Sequence, residues 1–108
     1  MGGFVDEASP DLFARWISIG AFSPFFRAHS MIGTRNAEPW TFGETTEAIA
    51  RNYINLRYML MPTIYTAMHR ATVDGMPLVR SLALLYPQDE KVFEEAFQNQ
   101  YMLSLIHI

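Results

Sequence analysis

One long amphipathic helix is the feature that most constrains how this chain folds. Apolar side chains recur every three or four residues along one face, at Ile49, Tyr53, Leu56, Leu60, Ile64 and Met68. Thr41 and Glu44 have the spacing of a capping box at its start. The segment 74–77, Asp-Gly-Met-Pro, ends it, because glycine suits a left-handed cap and proline cannot continue a helix. Pro62 lies inside the helix and is expected to kink it, since proline removes a backbone hydrogen bond.

A shorter helix and a strand are expected before the long helix. Residues 9–11, Ser-Pro-Asp, start the short helix, because serine caps free N–H groups and proline at the first position loses no needed donor. Gly20 ends it. Segment 22–29 is apolar and too interrupted by proline for a helix, which indicates a buried strand with a polar exit.

After the long helix, the pattern predicts a strand, a short helix and a further strand. Residues 78–86 favour a strand, Asp89 can cap a short helix, and residues 100–108 are typical of a last strand. This order of elements suits part of an α/β barrel followed by the edge of a second domain.

The chain is more apolar than a free-standing domain of its size can readily bury. Half of its 108 residues are hydrophobic, among them eight phenylalanines, five tyrosines, two tryptophans and seven methionines. A domain this small buries only about 60–70% of its unfolded surface. We therefore favour a piece of a larger protein; the alternative is a stand-alone binding module, without catalytic activity, that hides the surplus in an obligate oligomer.

Charge and composition exclude several classes of partner and cofactor. A net charge of −3, with Lys91 as the single lysine, argues against nucleic acid, which needs concentrated positive charge. No cysteine is present, so disulfides and thiolate metal sites are excluded. His69 and His107 have no spaced partners, so no metal or other cofactor is expected. No run of ~18–20 apolar residues predicts a membrane span, and no signal peptide is visible.

Two motifs joined by the short helix resemble a known enzyme family. Met1-Gly-Gly-Phe4 and segment 21–30, Ala-Phe-Ser-Pro-Phe-Phe-Arg-Ala-His-Ser, are similar to the last two βα units of the catalytic barrel of glycoside hydrolase family 31, the α-glucosidase family. Segment 56–66 resembles the last barrel helix, and segments 75–82 and 97–103 resemble the exit into the following β-sandwich. The resemblance covers Gly2 to about Leu103, although Thr63 replaces an aromatic residue usual in the family.

The resemblance implies an α/β fold: a fragment of a TIM (β/α)8 barrel, mostly helical, that runs into the edge of a β-sandwich. It places the C-terminal part of the barrel in residues 1–76 and the start of the sandwich in residues 77–103. Residues 104–108, Ser-Leu-Ile-His-Ile, depart from the family pattern and are expected to be a non-native tail. The motifs are similar in style to bacterial members, so a cytoplasmic, periplasmic or secreted parent is expected.

The resemblance also implies substrate-binding residues. In the family, a phenylalanine and a histidine matching Phe4 and His29 line the pocket for the sugar, so an α-glucoside and the rest of the barrel are the expected partners. Spacing by itself favours a structural histidine and a core phenylalanine. Arg27 would contact substrate or form a structural salt bridge. Trp40 would border the leaving-group side or pack against neighbouring loops.

No catalytic residue is expected within these 108 residues. The family is of the retaining type and uses two carboxyl groups that flank the scissile bond. Both lie upstream of the position matching Met1, and no acid of this chain matches either motif. We therefore expect a fragment of an α-glucosidase-type hydrolase that is inactive by itself and supplies pocket residues for terminal α-linked glucose. The exact glycoside and linkage stay open.

Overall fold

The structure, a computed structural model, describes residues 7–104 and the backbone of residues 106 and 107. It divides into two compact units, Met1–Met59 and Leu60–Ile108, and the division falls inside the longest helix. The predicted domain boundary between residues 76 and 77 and the predicted non-native tail stay predictions. Within the described ranges, no helix is long and apolar enough to cross a bilayer.

The first helix of the first unit, α1, spans Pro10–Gly20 and confirms the predicted start and end. The Ser9 hydroxyl accepts a hydrogen bond from the backbone N–H of Leu12 at 3.2 Å, as an N-cap does. Phe13 and Ile17 are buried on one face. The helix has no basic residue in its last turn, so its own sequence supplies no positive charge for the carbonyl end of its dipole.

The strand predicted for residues 22–29 is wrong. Residues 21–25 form turns and bends, residues 26–31 have no regular structure, and Phe25 is 70% exposed. A strand needs a hydrogen-bonded neighbour, and no segment within 7–104 and 106–107 pairs with this one. Residues 22–29 have the apolar sequence pattern of a strand, but the strands that would flank this segment in a barrel are not among the described residues.

The long helix α2 spans Glu44–Asp74, as the apolar repeat predicted, but the predicted capping box is wrong. Thr41 lies in a preceding 3-10 helix, Pro39–Phe42, and its hydroxyl donates to two backbone carbonyls at 2.8 Å. Gly43, at φ 93°, starts α2 instead, and its carbonyl accepts from the N–H of Glu47 at 3.0 Å. The threonine hydroxyl therefore stabilises the turn before the helix rather than the helix end.

The C-terminal end of α2 is confirmed. Gly75 adopts φ 75°, and its N–H donates to the carbonyl of Ala71 at 3.2 Å, which is the geometry of a left-handed cap. The Asp74 carboxylate accepts from the N–H of Met76 at 2.9 Å. The helix continues without interruption past Pro62, and the kink there stays a prediction.

The core of the first unit forms where α1 meets the start of α2. Phe13 stacks on Phe42 with ring centroids 4.1 Å apart and planes 14° apart. The cluster is completed by three small or branched residues, Ala8, Ile17 and Ala50, and Phe26 and Tyr53 pack against it. Phe26 is the point at which the irregular segment after α1 is attached to this core.

The second unit contains a small antiparallel sheet. Its strands, in the order β1-β2-β3, are β1 (Val79–Ser81), β2 (Tyr101–Leu103) and β3 (Ile106–His107). Val79 pairs with Leu103, and Met102 pairs with His107. The last predicted strand is therefore present, as two short strands on either side of a turn at Ser104, which adopts φ 58°.

The strand predicted for residues 78–86 is only partly right. Pairing ends at Ser81, whose hydroxyl accepts from the N–H of Leu84 at 3.2 Å and starts α3, Leu82–Leu85. The serine cap gives the following backbone a helical alternative to the ladder. Asp89 caps a short helix as predicted, although Glu90–Phe93 is a 3-10 helix, and a second one follows at Glu95–Phe97.

Candidate functional site

His29 lines a cavity in the irregular segment that follows α1. The cavity has a volume of about 390 Å³. Its walls come from two stretches close in sequence, residues 28–30 and residues 36–39 (Ala28, His29, Ser30, Asn36, Ala37, Glu38 and Pro39). The His29 side chain is exposed, so a ligand in the cavity can reach the imidazole.

Arg27 contacts His29 and determines which ring nitrogen carries the proton. The guanidinium Nη2 of Arg27 lies 3.0 Å from Nδ1 of His29. A guanidinium can only donate, so Nδ1 must accept, and the neutral ring carries its proton on Nε2. This arrangement makes Nε2–H a donor, which suits a sugar hydroxyl or ring oxygen. The structure therefore brings together two predicted site residues, Arg27 and His29.

Arg57 on α2 holds the backbone that leads to His29, a role that sequence analysis missed. Its Nη1 donates to the carbonyls of Gly20, Ala21 and Ser23 at 3.4, 3.0 and 2.6 Å, and its Nη2 donates to the carbonyl of Pro24 at 3.1 Å. The only signal in the sequence is a cation within an otherwise apolar helical repeat.

The guanidinium of Arg57 is also partly desolvated. Its carbon lies 5.2 Å from the centroid of the Phe26 ring, a cation–π distance. Burial lowers the pKa of Arg57 from its ordinary value, but an arginine stays charged at neutral pH. A charged donor therefore faces the negative end of the α1 dipole, where carbonyls lack helical partners.

Trp40 lies beside a second cavity rather than in the His29 cavity. The tryptophan is 66% exposed, and the cavity has a volume of about 220 Å³, with Pro39, Trp40, Glu47, Arg51, Ile54 and Asn55 as its walls. Pro39 lines both cavities. The structure thus places Trp40 in the wall of this second cavity, which shares Pro39 with the His29 cavity. Phe4, the other predicted pocket residue, lies outside the described residues.

The described part of the chain does not assemble a pair of catalytic carboxylates at this cavity. Glycoside hydrolysis needs two carboxyl groups, about 5–5.5 Å apart in retaining enzymes. Among the described lining residues, Glu38 is the one acid. No group of three or more metal-ligating side chains is found within residues 7–104 either. The cavity can therefore bind and orient a polar ligand but lacks the groups that cleave a glycosidic bond.

A larger hollow of about 830 Å³ lies in the second unit, lined by residues 85–91 and Glu94. Its walls run from the end of α3 through a turn into the 3-10 helix and are mostly exposed, and the Asp89 carboxylate there accepts from the N–H of Lys91 as a helix cap. Because the Asp89 carboxylate already accepts a backbone hydrogen bond, the larger volume of this hollow does not make it a stronger candidate for the functional site than the His29 cavity.

Comparison with known proteins gives a family match over the whole of the first unit and into the second. The family model described as "Glycosyl hydrolases family 31 TIM-barrel domain" matches residues 1–67. The "Probable glucan 1,3-alpha-glucosidase" of Oryza sativa subsp. japonica is 44% identical over 99 residues, which is 90% of this chain and 11% of that protein.

Solved structures show the same likeness in three dimensions. The family 31 alpha-glucosidase from Bacteroides thetaiotaomicron has a TM-score of 0.83 at 40% identity, over 94% of this chain and 17% of that one. The Flavobacterium johnsoniae GH31 dextranase, complexed with glucose, has a TM-score of 0.79 at 38% identity, over 89% of this chain and 12% of that one. The chain therefore spans between a ninth and a sixth of the length of these relatives.

Proposed function

The chain belongs to glycoside hydrolase family 31, and from that membership we propose that it forms part of the sugar pocket of a retaining α-glucosidase-type enzyme. The substrate class is a terminal α-linked glucoside. The observation that carries the proposal is His29: its Nδ1 is engaged by Arg27 at 3.0 Å, which leaves the Nε2–H tautomer in a cavity of sugar size, about 390 Å³.

The pocket role of His29 is to bind a sugar hydroxyl and tighten that bond as the glycosidic bond breaks. Charge develops on the sugar in the oxocarbenium-like transition state. A donor held in place beforehand stabilises this charge without reorganisation. Arg27 would serve here by holding the ring and its tautomer. Phe4 would cover an apolar face of the sugar through its aromatic ring, and Trp40 would border the leaving-group side.

Bond cleavage itself is assigned to carboxyl groups outside this chain. One would attack the anomeric carbon to form a covalent glycosyl-enzyme, and the other would protonate the leaving oxygen and later activate water. The single described acid at the cavity, Glu38, supports this division of labour. The longer enzyme that would contain residues 1–108 is called the full-length enzyme.

The remainder of the barrel is the proposed partner of this segment. Several large apolar side chains are more than 65% exposed in the described structure: Phe25, Trp40, Tyr58, Met59 and Tyr65. So many exposed aromatic groups are typical of a surface that another part of the protein covers. We propose that residues 1–76 complete the barrel and that residues 77–103 begin a β-sandwich, for which the antiparallel pairing of β1 and β2 is the support.

A stand-alone oligomeric binding module would also cover these side chains, so the oligomeric state is part of the test. Purified residues 1–108 should not form a discrete, cooperatively melting assembly in size-exclusion chromatography. A soluble and monodisperse oligomer with a sharp thermal transition would favour the binding module instead.

The direct test of the proposed function uses the full-length enzyme, obtained by extending the reading frame on both sides in genomic DNA. We expect release of nitrophenol from 4-nitrophenyl α-glucoside and a retained anomeric configuration, followed by NMR of the first product. A folded full-length protein that hydrolyses no α-glucoside would overturn the proposal.

A further inference from the structure

We propose that Arg57 is a positioning residue for His29, acting through the backbone that connects α1 to the sugar pocket. The inference rests on the proposed function, because it assigns Arg57 to the same site. Arg57 does not line the described cavity, so any effect on the sugar must pass through His29.

The first support is the number of carbonyls that one guanidinium holds. Four acceptors lie between Gly20 and Pro24, at 2.6–3.4 Å from the two terminal nitrogens of Arg57. The Gly20 carbonyl also accepts from the N–H of Ser23 at 3.0 Å, so the Arg57 contact matters more for the carbonyl of buried Ala21, since a carbonyl buried without a partner destabilises the fold. Because α1 has no basic residue in its own last turn, the positive charge at this helix end comes from α2.

The second support is the short path from these carbonyls to the imidazole. Phe26 packs against the core of the first unit and also lies under the Arg57 guanidinium, 5.2 Å from it. His29 follows three residues later, and no strand pairing holds the described segment between them. The Arg57 contacts and the attachment of Phe26 therefore help to determine the direction in which the chain enters the pocket.

The third support is chemical: the site needs a guanidinium. Arginine offers five N–H donors in a planar fork, whereas the lysine ammonium is a point charge with three donors on a flexible stem. A lysine ammonium at position 57 has three N–H donors for four carbonyls, so it cannot satisfy all of them, and it lacks the planar group that lies 5.2 Å from the Phe26 centroid. Arg15 on α1 provides a matched control, since it is exposed and forms a local ion pair with Asp11 at 2.9 Å.

The experiment is a double-mutant cycle in the full-length enzyme, scored by kcat/KM for 4-nitrophenyl α-glucoside and, separately, by melting temperature. Arg57→Ala should lower kcat/KM at least ~10-fold, since a misplacement of about 1 Å in a reacting geometry costs up to ~100-fold. In an His29→Ala background the same change should lower kcat/KM less than ~2-fold, because the group being positioned is gone. Its effect on melting temperature should be equal in both backgrounds.

Two further variants complete the cycle. Compared with Arg57→Ala, Arg57→Lys should restore part of kcat/KM when His29 is present and none of it in the His29→Ala background. If Arg57→Ala does not fold, Arg57→Lys replaces it in the double-mutant cycle, with the same expected non-additivity. Arg15→Ala should leave kcat/KM within ~2-fold.

The outcomes separate this inference from the proposed function. If His29→Ala alone leaves kcat/KM unchanged, the pocket assignment fails and the inference fails with it. If His29→Ala lowers kcat/KM but the Arg57 variants do not, only the inference is wrong. Equal fold losses from the Arg57 substitution in both backgrounds would show a purely structural arginine and would also overturn it.

Discussion

Replacing His29 by glutamine, asparagine and alanine in the full-length enzyme tests both the pocket role and the tautomer. The contact between Arg27 and Nδ1, at 3.0 Å, leaves Nε2–H as the functional donor. The glutamine amide nitrogen reaches roughly as far from the backbone as Nε2, and the asparagine amide nitrogen only as far as Nδ1. Glutamine should therefore preserve activity better than asparagine.

The size of the loss follows from the kind of hydrogen bond that is removed. A hydrogen bond between neutral groups contributes about 0.5–1.5 kcal/mol, and one to a charged group contributes about 1.5–3 kcal/mol. The sugar becomes partly charged in the transition state, so the His29 contact should contribute ~2–3 kcal/mol there. That free energy corresponds to a ~30- to 150-fold loss of kcat/KM for His29→Ala. Glutamine should recover about half of the free energy, which leaves a ~5- to 12-fold loss.

The assay is steady-state hydrolysis of 4-nitrophenyl α-glucoside, with thermal melting of each variant measured in parallel. His69→Ala is the matched control, because His69 is an exposed histidine on α2 outside the described cavity walls, and it should leave kcat/KM within ~2-fold. Melting temperatures of the His29 variants should move little, since the side chain is exposed.

Three results would refute this reasoning. Greater activity for asparagine than for glutamine would show that the donor is Nδ1, against the Arg27 contact. An unchanged kcat/KM for His29→Ala would remove His29 from the pocket. A variant that unfolds while its folded fraction keeps normal kinetics would make His29 structural.

The other predictions concern the chain by itself and the core of the first unit. Purified residues 1–108 should release no nitrophenol from 4-nitrophenyl α-glucoside above a no-enzyme control, and clear turnover would contradict the assignment of the carboxylates to other parts of the enzyme. The isolated chain should give strong far-UV but weak near-UV circular dichroism, because the capped helices persist while the exposed aromatic surface lacks its partner; sharp near-UV bands in a monomer would show that it packs alone. In the full-length enzyme, Phe13→Ala should destabilise the first unit by about 3–5 kcal/mol, because Phe13 is 4% exposed and stacks on Phe42, whereas Leu12→Ala, at 41% exposure, should have a much smaller effect on thermal melting; equal shifts would contradict the observed packing.

Local chemistry explains which parts of the fold could be predicted from the sequence. The start of α1 at Ser9 and the end of α2 at Gly75 depend on hydrogen bonds between residues within four positions of one another. A serine hydroxyl and a glycine without a Cβ provide those geometries wherever they occur. The same holds for the family membership, since the motifs around Phe4 and His29 are contiguous stretches of sequence.

Non-local or competing contacts explain the errors. The apolar segment 22–29 has the composition of a strand, but no described segment pairs with it. At Ser81 the hydroxyl caps α3 and ends the ladder early, and Thr41 binds carbonyls of its own turn instead of starting α2. The Ser81 and Thr41 hydroxyls could each form hydrogen bonds in two alternative local structures, and the sequence pattern does not show which one forms. Segment 22–29 could be a strand only with a pairing partner.

The same distinction between local and distant contacts applies to the candidate site. The sequence by itself determined that His29 and Arg27 alternate along the chain, which places them close together, and that the family's carboxylate motifs are absent from these residues. Only the tertiary structure decided the rest: that Arg27 bonds Nδ1 and thereby puts the proton on Nε2, and that Arg57 holds carbonyls 33 to 37 positions earlier in the chain. Contacts between residues so far apart in the chain produce no periodic pattern in the sequence. They form only when α1 and α2 have packed around Phe13 and Phe42.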